Sequence, residues 1–391
     1  MHIRKNVKNL TSDEKTKFVN AILTLKTTNP SVLHQGDPTK NRYDDYVEIH
    51  MMAMMAGSQD DPRDNPNWQP GWAHNGPAFF PWHRVLLLQF EKDLQAIDST
   101  ITIPYWDWSD NASSPFTLDF LGPDGDRNDP QDPLKVNEGP FAHDGPNHWT
   151  INVNDPPDEP GAPALPNYLR RGFGRRADAQ NLPSAVQIKR AMSDIMYDSP
   201  PWMLSSPGFR SAAEISLHNL VHRWVNGTMM LMTSPNDPVF WLHHCNIDRL
   251  WGDWQRQHQD TCPYQPSGAS LARGHNLLEP MIFNMDPPLP WPESYTPANV
   301  LDHHSLGYSY ESDPAPTITT AAISTAKAME EEQRRQIVSS QMGQIKHVVP
   351  LFPLMKEIRA LSPRLHSKRK MSKSIGSKKK KKKAKKRSSS R

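Results

Sequence analysis

The chain has 391 residues, of which 36% are hydrophobic and 38 are proline. No stretch approaches the roughly 18 unbroken apolar residues of a membrane-spanning helix, and 12 Trp, 9 Tyr and 12 Phe exclude a wholly disordered chain. The net charge of +3 divides unevenly: 14 Lys and Arg and no acid fall in residues 368–391, and the other 31 basic residues face 42 acidic ones. An acidic body therefore carries a basic tail. Cys245 and Cys262 are too few for a disulfide framework or a cysteine-ligated zinc. The 17 histidines point any metal site to imidazole instead. The first residues hold no apolar signal-peptide core, so the expectation is cytoplasmic residence, or export with a partner.

Thr11-Ser12-Asp13-Glu14 has capping-box spacing, and Phe18, Ala21, Ile22 and Leu25 then recur on one face, which predicts a first helix. A second is predicted over 43–56, carrying His50. A loop rich in Pro, Asn, Asp and Gly follows at 57–76 and contains His74. Pro81, whose missing N–H costs nothing in a first turn, opens a third helix that carries His83 and runs to about Ile97. Residues 109–207 read as irregular chain with short helices. Further helices are predicted at about 208–225 and 239–257. Loop-like sequence leads from Pro287 to Tyr308-Ser309-Tyr310. Beyond it, 319–346 reads as helical, 347–354 is a short apolar run, and 367–391 is low-complexity. No repeat of fixed period is present.

His218 and His222 lie four apart, which on a helix places both imidazoles on one face and suits two ligands of one metal ion. Alone, such a pair is more often a solvated helix face. The run Asp237-Pro238-Val239-Phe240-Trp241-Leu242-His243-His244-Cys245-Asn246-Ile247-Asp248 adds a further imidazole. Four residues later it adds a carboxylate placed to orient a ligand from behind. Such polar groups among Phe, Trp, Leu and Ile are costly without partners. Upstream, His50, His74 and His83 form a second set. Two sets of three suggest two metal ions. Neutral imidazole suits copper, zinc, iron and nickel. Di-iron bundles use Glu-x-x-His motifs, which this chain lacks, so copper is favoured.

These runs resemble the tyrosinase family of type-3 dicopper proteins, which includes catechol oxidases and molluscan haemocyanins, over roughly residues 1–312. The most specific element is Asp-Pro-x-Phe-Trp-x-x-His-x-x-x-Asp, matched at Asp237, Pro238, Phe240, Trp241, His244 and Asp248. By that pattern His244, not His243, is the ligand. The resemblance implies a mainly α fold: an antiparallel four-helix bundle holding a dinuclear copper site, with long irregular Pro-rich loops. It assigns His50, His74 and His83 to the first copper and His218, His222 and His244 to the second. Arg4 and Tyr308-x-Tyr310 resemble the family's arginine and tyrosine pair closing the core; a surface arginine and a β-like loop are the plain alternative. Plant and fungal members carry a thioether-forming cysteine two residues before the second ligand. Trp72 stands there, so the site resembles bacterial members, and Cys245 and Cys262 are expected to be reduced thiols.

The implied activity uses O2 to hydroxylate monophenols to o-diphenols and to oxidise o-diphenols to o-quinones. A phenol near pKa 10 costs about 4 kcal/mol to deprotonate at pH 7, which copper ligation and a general base offset. Glu214, four residues before His218, and Asn219, directly after it, are the candidates, since the family holds a water with such a pair. The plain alternative for Glu214 is an exposed helix residue. Its four-residue spacing resembles plant enzymes and opens an alternative: a catechol or o-aminophenol oxidase with little monophenolase activity. A haemocyanin-type oxygen carrier uses the same site but is built of many linked units. His243, Asn246 and Arg223 are expected to border the entrance, and Leu231 or Met232 to cover the second copper.

Three segments are expected. Residues 1–312 form the dicopper core. Residues 313–366 form a partly helical extension, a candidate lid with Phe352 as its plug. The disordered Lys-rich tail at 367–391 binds polyanions or folds back on the acidic core.

Overall fold

A computed structural model describes residues 1–57, 69–157, 163–268, 270, 272–283 and 294–314. The helix expected at 319–346, the apolar run with Phe352 and the basic tail lie outside the described residues, as does most of the expected 57–76 loop before Gln69. Residues Met1–Asp313 form one compact unit.

The fold is mainly α. Helix α1, Ser12–Thr27, starts at the expected capping box: Thr11 accepts from the Glu14 amide, and the Glu14 carboxylate accepts from the Thr11 amide at 2.9 Å. It buries Phe18, Ala21, Ile22 and Leu25. Helix α2, Arg42–Met55, is capped by Asn41. Helix α3, Phe79–Ile97, begins two residues before Pro81. The proline still falls among the first four positions, whose N–H groups have no acceptor within the helix. After the short α4, Ala185–Met192, the single helix expected at 208–225 is broken. It consists of α5 (Phe209–Ala213), a π-turn (Glu214–His218) and α6 (Asn219–Val225). The wider i→i+5 turn shifts the two flanking helical faces relative to each other. Helix α7 spans Val239–Gln257.

The irregular 109–184 stretch is tied down by charge. Arg171, fully buried, makes a bidentate pair with Asp237 at the foot of α7 and donates to the carbonyls of Leu121, Gly122 and Pro123. Bidentate pairing of this kind is both strong and directional.

Helices α3 and α7 pack together at the centre, where Arg84 Nε donates to Asp248 Oδ1 at 2.6 Å. Strands β1 (His2–Arg4) and β2 (Tyr308–Tyr310) pair in parallel with Arg4 opposite Tyr310. Arg4 is no surface residue. It is fully buried, donates to Glu91 at 2.9 Å and to the Tyr310 hydroxyl at 3.2 Å, and lies 3.6 Å over the Tyr308 ring. Both tyrosine hydroxyls donate to Asp248. Asp248 thus orients no histidine, contrary to expectation. It lies one turn beyond His244, and its carboxylate is taken up by Arg84, Tyr308 and Tyr310. Among the described residues no helix is long and apolar enough to cross a membrane.

Burial pushes the Asp248 carboxyl up, but Arg84 and Arg4 hold it below its ordinary 3.8. Its stabilising contribution is therefore present above pH 3.8 and is lost as pH falls through the lower folded value. Asp248→Asn leaves the buried Arg84 guanidinium without its carboxylate, while Arg4 keeps Glu91, and should cost about 3–5 kcal/mol. Urea unfolding of the variant at neutral pH checks this, and a loss under about 1 kcal/mol would show that the network is not load-sharing.

Candidate metal centre

Helices, a turn and one loop bring histidines from across the chain to one buried place. His50 comes from α2, His83 from α3, His218 from the π-turn, His222 from α6, and His243 and His244 from α7. His74 comes from the irregular chain before α3. One ring nitrogen each of His50, His74 and His83 lies within 4.8 Å of the others, and the same holds for His218, His222, His243 and His244. The two groups face each other. The rings of His83 and His244 stack 4.3 Å apart at 19°, and His74 lies 5.7 Å from His218.

A neutral imidazole has one N–H and one lone pair, and its partners decide which nitrogen carries which. The Nδ1–H of His50 donates to the Met232 carbonyl at 2.7 Å, and that of His83 to the Phe79 carbonyl at 2.7 Å. Likewise His222 donates to the Met229 carbonyl at 2.6 Å, and His218 to Asn219 Oδ1 at 2.8 Å. Each of these rings keeps its lone pair on Nε2. For His50, His83 and His222 that atom is buried with no hydrogen-bond partner among the described residues. The Nε2 atoms of His218 and His244 face each other at 3.2 Å. Convergent buried lone pairs are costly when unsatisfied. Two copper ions, each taking three neutral imidazoles, fit this donor set.

Burial is the largest cause keeping the rings neutral. It pushes His50 down to about 3 and His222 to about 4, and it holds His74, His83, His218, His243 and His244 well below 6.5.

His243 belongs to the second group in space but differs chemically. Trp108 Nε1–H donates to its Nδ1 at 3.1 Å, so the proton of the neutral ring sits on Nε2. His243 presents an N–H where its neighbours present lone pairs, which argues for His244 as the ligand. Nor do His243 and Asn246 border an entrance: both are 0% exposed. Arg223 is half-buried, 3.5 Å from Asp178. The Met232 carbonyl serves His50 of the first group. Cys245 is a buried thiol, pushed up to about 12 by burial and inert at neutral pH.

Glu214 is 1% exposed, which removes the reading as a solvated helix residue. Its Oε1 accepts from the Asn75 amide at 2.7 Å and its Oε2 from Arg210 at 3.0 Å, and Arg210 pairs in turn with Asp198 at 2.8 Å. Burial raises the Glu214 carboxyl and Arg210 opposes the rise, with a net upward shift. Asn75 reaches Glu214 from the left-handed region, φ 64°, which asparagine tolerates. Arg210, Asp198, Trp108 and the carbonyls of Met229 and Met232 were missed by sequence reasoning, because nothing in their spacing ties them to the histidines.

The family profile described as the common central domain of tyrosinase matches residues 40–257, which hold all six expected ligands. A tyrosinase of Streptomyces antibioticus is 38% identical over 311 residues, covering 78% of this chain and 97% of that one. Grixazone synthase of Streptomyces griseus subsp. griseus is 34% identical over 342 residues, covering 80% and 99%. Among solved structures, a functional unit from octopus hemocyanin aligns with 84% of this chain and 73% of its own, at 24% identity and a TM-score of 0.48.

The metal-free protein should lose stability as pH falls below 6.5, the ordinary value of the rings. The unfolded chain then binds protons that the folded one refuses, so each ring costs about 1.4 kcal/mol per pH unit between 6.5 and its lower folded value. Thermal melting from about pH 7.5 to about 4.5 should show a steep fall in Tm over this range. A flat profile would contradict buried neutral rings.

Proposed function

We propose, from the premise that this chain belongs to the tyrosinase family, that it both hydroxylates monophenols to o-diphenols and oxidises o-diphenols to o-quinones. The coarser reading is that of the family: a dicopper phenol oxidase with two copper ions per chain, acting on phenols with O2. In the finer one, His50, His74 and His83 hold the first copper and His218, His222 and His244 the second. The observation that carries it is the pair of opposed, buried imidazole groups with convergent ring nitrogens. Bound copper supplies the redox and Lewis-acid chemistry toward O2 and the phenol oxygen.

The remaining tasks fall to this chain's own residues. Backbone carbonyls hold the N–H of His50, His83 and His222 away from the metals, and Asn219 does the same for His218. The aromatic rings of Phe79 and Phe240, 4.9 Å from His218 and 4.1 Å from His244, exclude water from the imidazoles' edges. A monophenol must also lose its O–H proton. In this reading Glu214 and Asn219, on either side of His218, hold a water whose oxygen takes it. The upward shift of Glu214 brings its proton affinity closer to the task.

A second reading is favoured by the double engagement of Glu214 with Asn75 and Arg210. There Glu214 is a strut, and the enzyme is a catechol or o-aminophenol oxidase with little monophenolase activity. Side-by-side kinetics separate the two. Glu214→Gln and Asn219→Asp should slow turnover of a monophenol about 100-fold or more, the usual worth of a general base, and slow its diphenol far less. Equal losses on both substrates would assign the strut.

The core is proposed to comprise residues 1–312, followed by the extension at 313–366 and the tail at 367–391. The 14 positive charges of residues 368–391 suit binding to polyanions, with an affinity that falls as salt rises. A chain ending at Asp313 should keep diphenol oxidation and lose salt-sensitive binding to a nucleic acid. A marked rise in its oxidation rate would assign the extension as a lid instead.

A further inference from the structure

His74 must meet two histidines that sit on helices, yet its own segment has no regular secondary structure. Other parts of the chain hold it in place. The Trp72 amide donates to the Ala53 carbonyl at 3.1 Å, the Asn75 amide to Glu214 at 2.7 Å, and the Tyr197 hydroxyl to the Pro77 carbonyl at 2.6 Å. One tether has two ends. His275 Nε2–H donates to the Gly71 carbonyl at 3.1 Å, and His275 Nδ1 accepts from the Ala78 amide at 3.2 Å. The carbonyl requires a proton on Nε2 and the amide requires a lone pair on Nδ1, so one neutral tautomer meets both demands.

The ring is built in on every side that the structure describes. His275 is 1% exposed, and burial pushes it down to about 4, so it stays an acceptor at neutral pH. The Tyr264 hydroxyl donates to its carbonyl at 2.7 Å, which pins its backbone. The loop lies directly against the imidazole: a Cβ at Gly76 would stand 2.9 Å from His275 Cε1 and 2.8 Å from the Pro70 side chain. His275 belongs to neither histidine group, and no ring nitrogen of it is left over for a metal.

We propose that His275 is a positioning residue for the first copper: by gripping Gly71 and Ala78 it fixes both ends of the His74 loop, and so holds the His74 ring 5.1 Å from His50 and 4.7 Å from His83. This rests on the assignment of His74 to that copper. The ligands on helices need no such clamp, because their backbones are set by helical hydrogen bonds. The loop ligand gains its preorganisation from His275 and its three companion tethers. Partners that stand behind a metal ligand typically contribute 10- to 100-fold to affinity.

Native mass spectrometry of the full chain, loaded with copper and then challenged with a chelator, counts molecules holding two, one or no copper. His74→Ala sets the reference, at one copper. His275→Ala should weaken the first copper about 10- to 100-fold, so a chelator concentration that leaves the unmodified chain with two leaves this variant with one. His275→Gln keeps a donor near Nε2 and His275→Asn an acceptor near Nδ1. Each should restore part of the affinity, and both carry the measurement if the alanine variant fails to fold. A merely structural residue would lower Tm without favouring loss of one copper over both. Retention of two coppers by His275→Ala, or by both His275→Gln and His275→Asn where the alanine variant does not fold, overturns the clamp, as does loss of both coppers together. Two coppers on His74→Ala overturn the ligand assignment and the clamp with it.

Discussion

Arg84 and Asp248 meet at 2.6 Å where neither has access to water, and the metal centre is built around that contact. Arg84 directly follows His83 on α3, and Asp248 stands one turn beyond His244 on α7. The pair therefore sets the separation of the two helices that present one stacked histidine to each half of the centre. A buried ion pair is weak evidence for net stability, because desolvation offsets most of the Coulombic gain. Its effect here is on register. Sliding either helix by one residue would strand a buried carboxylate and a buried guanidinium at once. Arg4, Glu91, Tyr308 and Tyr310 complete the set, and the Val300 and Leu301 carbonyls each accept from Arg84 at 2.8 Å. The β1 and β2 segments are thus secured at the same point as the helices.

The supports behind the two histidine groups are shared between them. The stretch from the 3-10 turn Gly227–Met230 to Met232 offers the Met229 carbonyl to His222 and the Met232 carbonyl to His50, one ring in each group. Glu214, at the start of the π-turn that ends in His218, holds the amide next to His74. Arg210 and Asp198 stand behind Glu214, and the neighbouring Tyr197 holds Pro77 of the same loop. Polar groups buried in this way are stable only when nearly all are satisfied. The Nε2 atoms of His50, His83 and His222, left without a partner among the described residues, lie where the histidines converge, which is where a bound metal would satisfy them.

Much of this was legible in the sequence where the signal is local. The capping box at Thr11 and the apolar spacing after it placed α1, and the Asp-Pro-x-Phe-Trp run placed the centre of α7. Two expectations failed, and one placement stayed hidden, for non-local reasons. The helix around His218 is interrupted, because propensity over 208–225 says nothing about an i→i+5 turn that packing selects. Asp248 turned away from the histidines toward Arg84, a partner 164 residues distant. Glu214 sits on the right helical stretch, but its burial and its partner Asn75, 139 residues away, are invisible to spacing.

By itself, the sequence singled out six histidines in two sets as candidate metal ligands, put most of them on helices, and made the body acidic. Those conclusions follow from residue identity, short-range periodicity and a motif, which act within one or two helical turns. Only the tertiary structure decided that His50, His83, His218 and His222 keep their lone pairs on Nε2, that His243 carries its proton there, and that His275 bonds to both Gly71 and Ala78. A tautomer is set by whichever carbonyl, amide or indole the folded chain brings within about 3 Å. Those partners come from segments far apart along the chain.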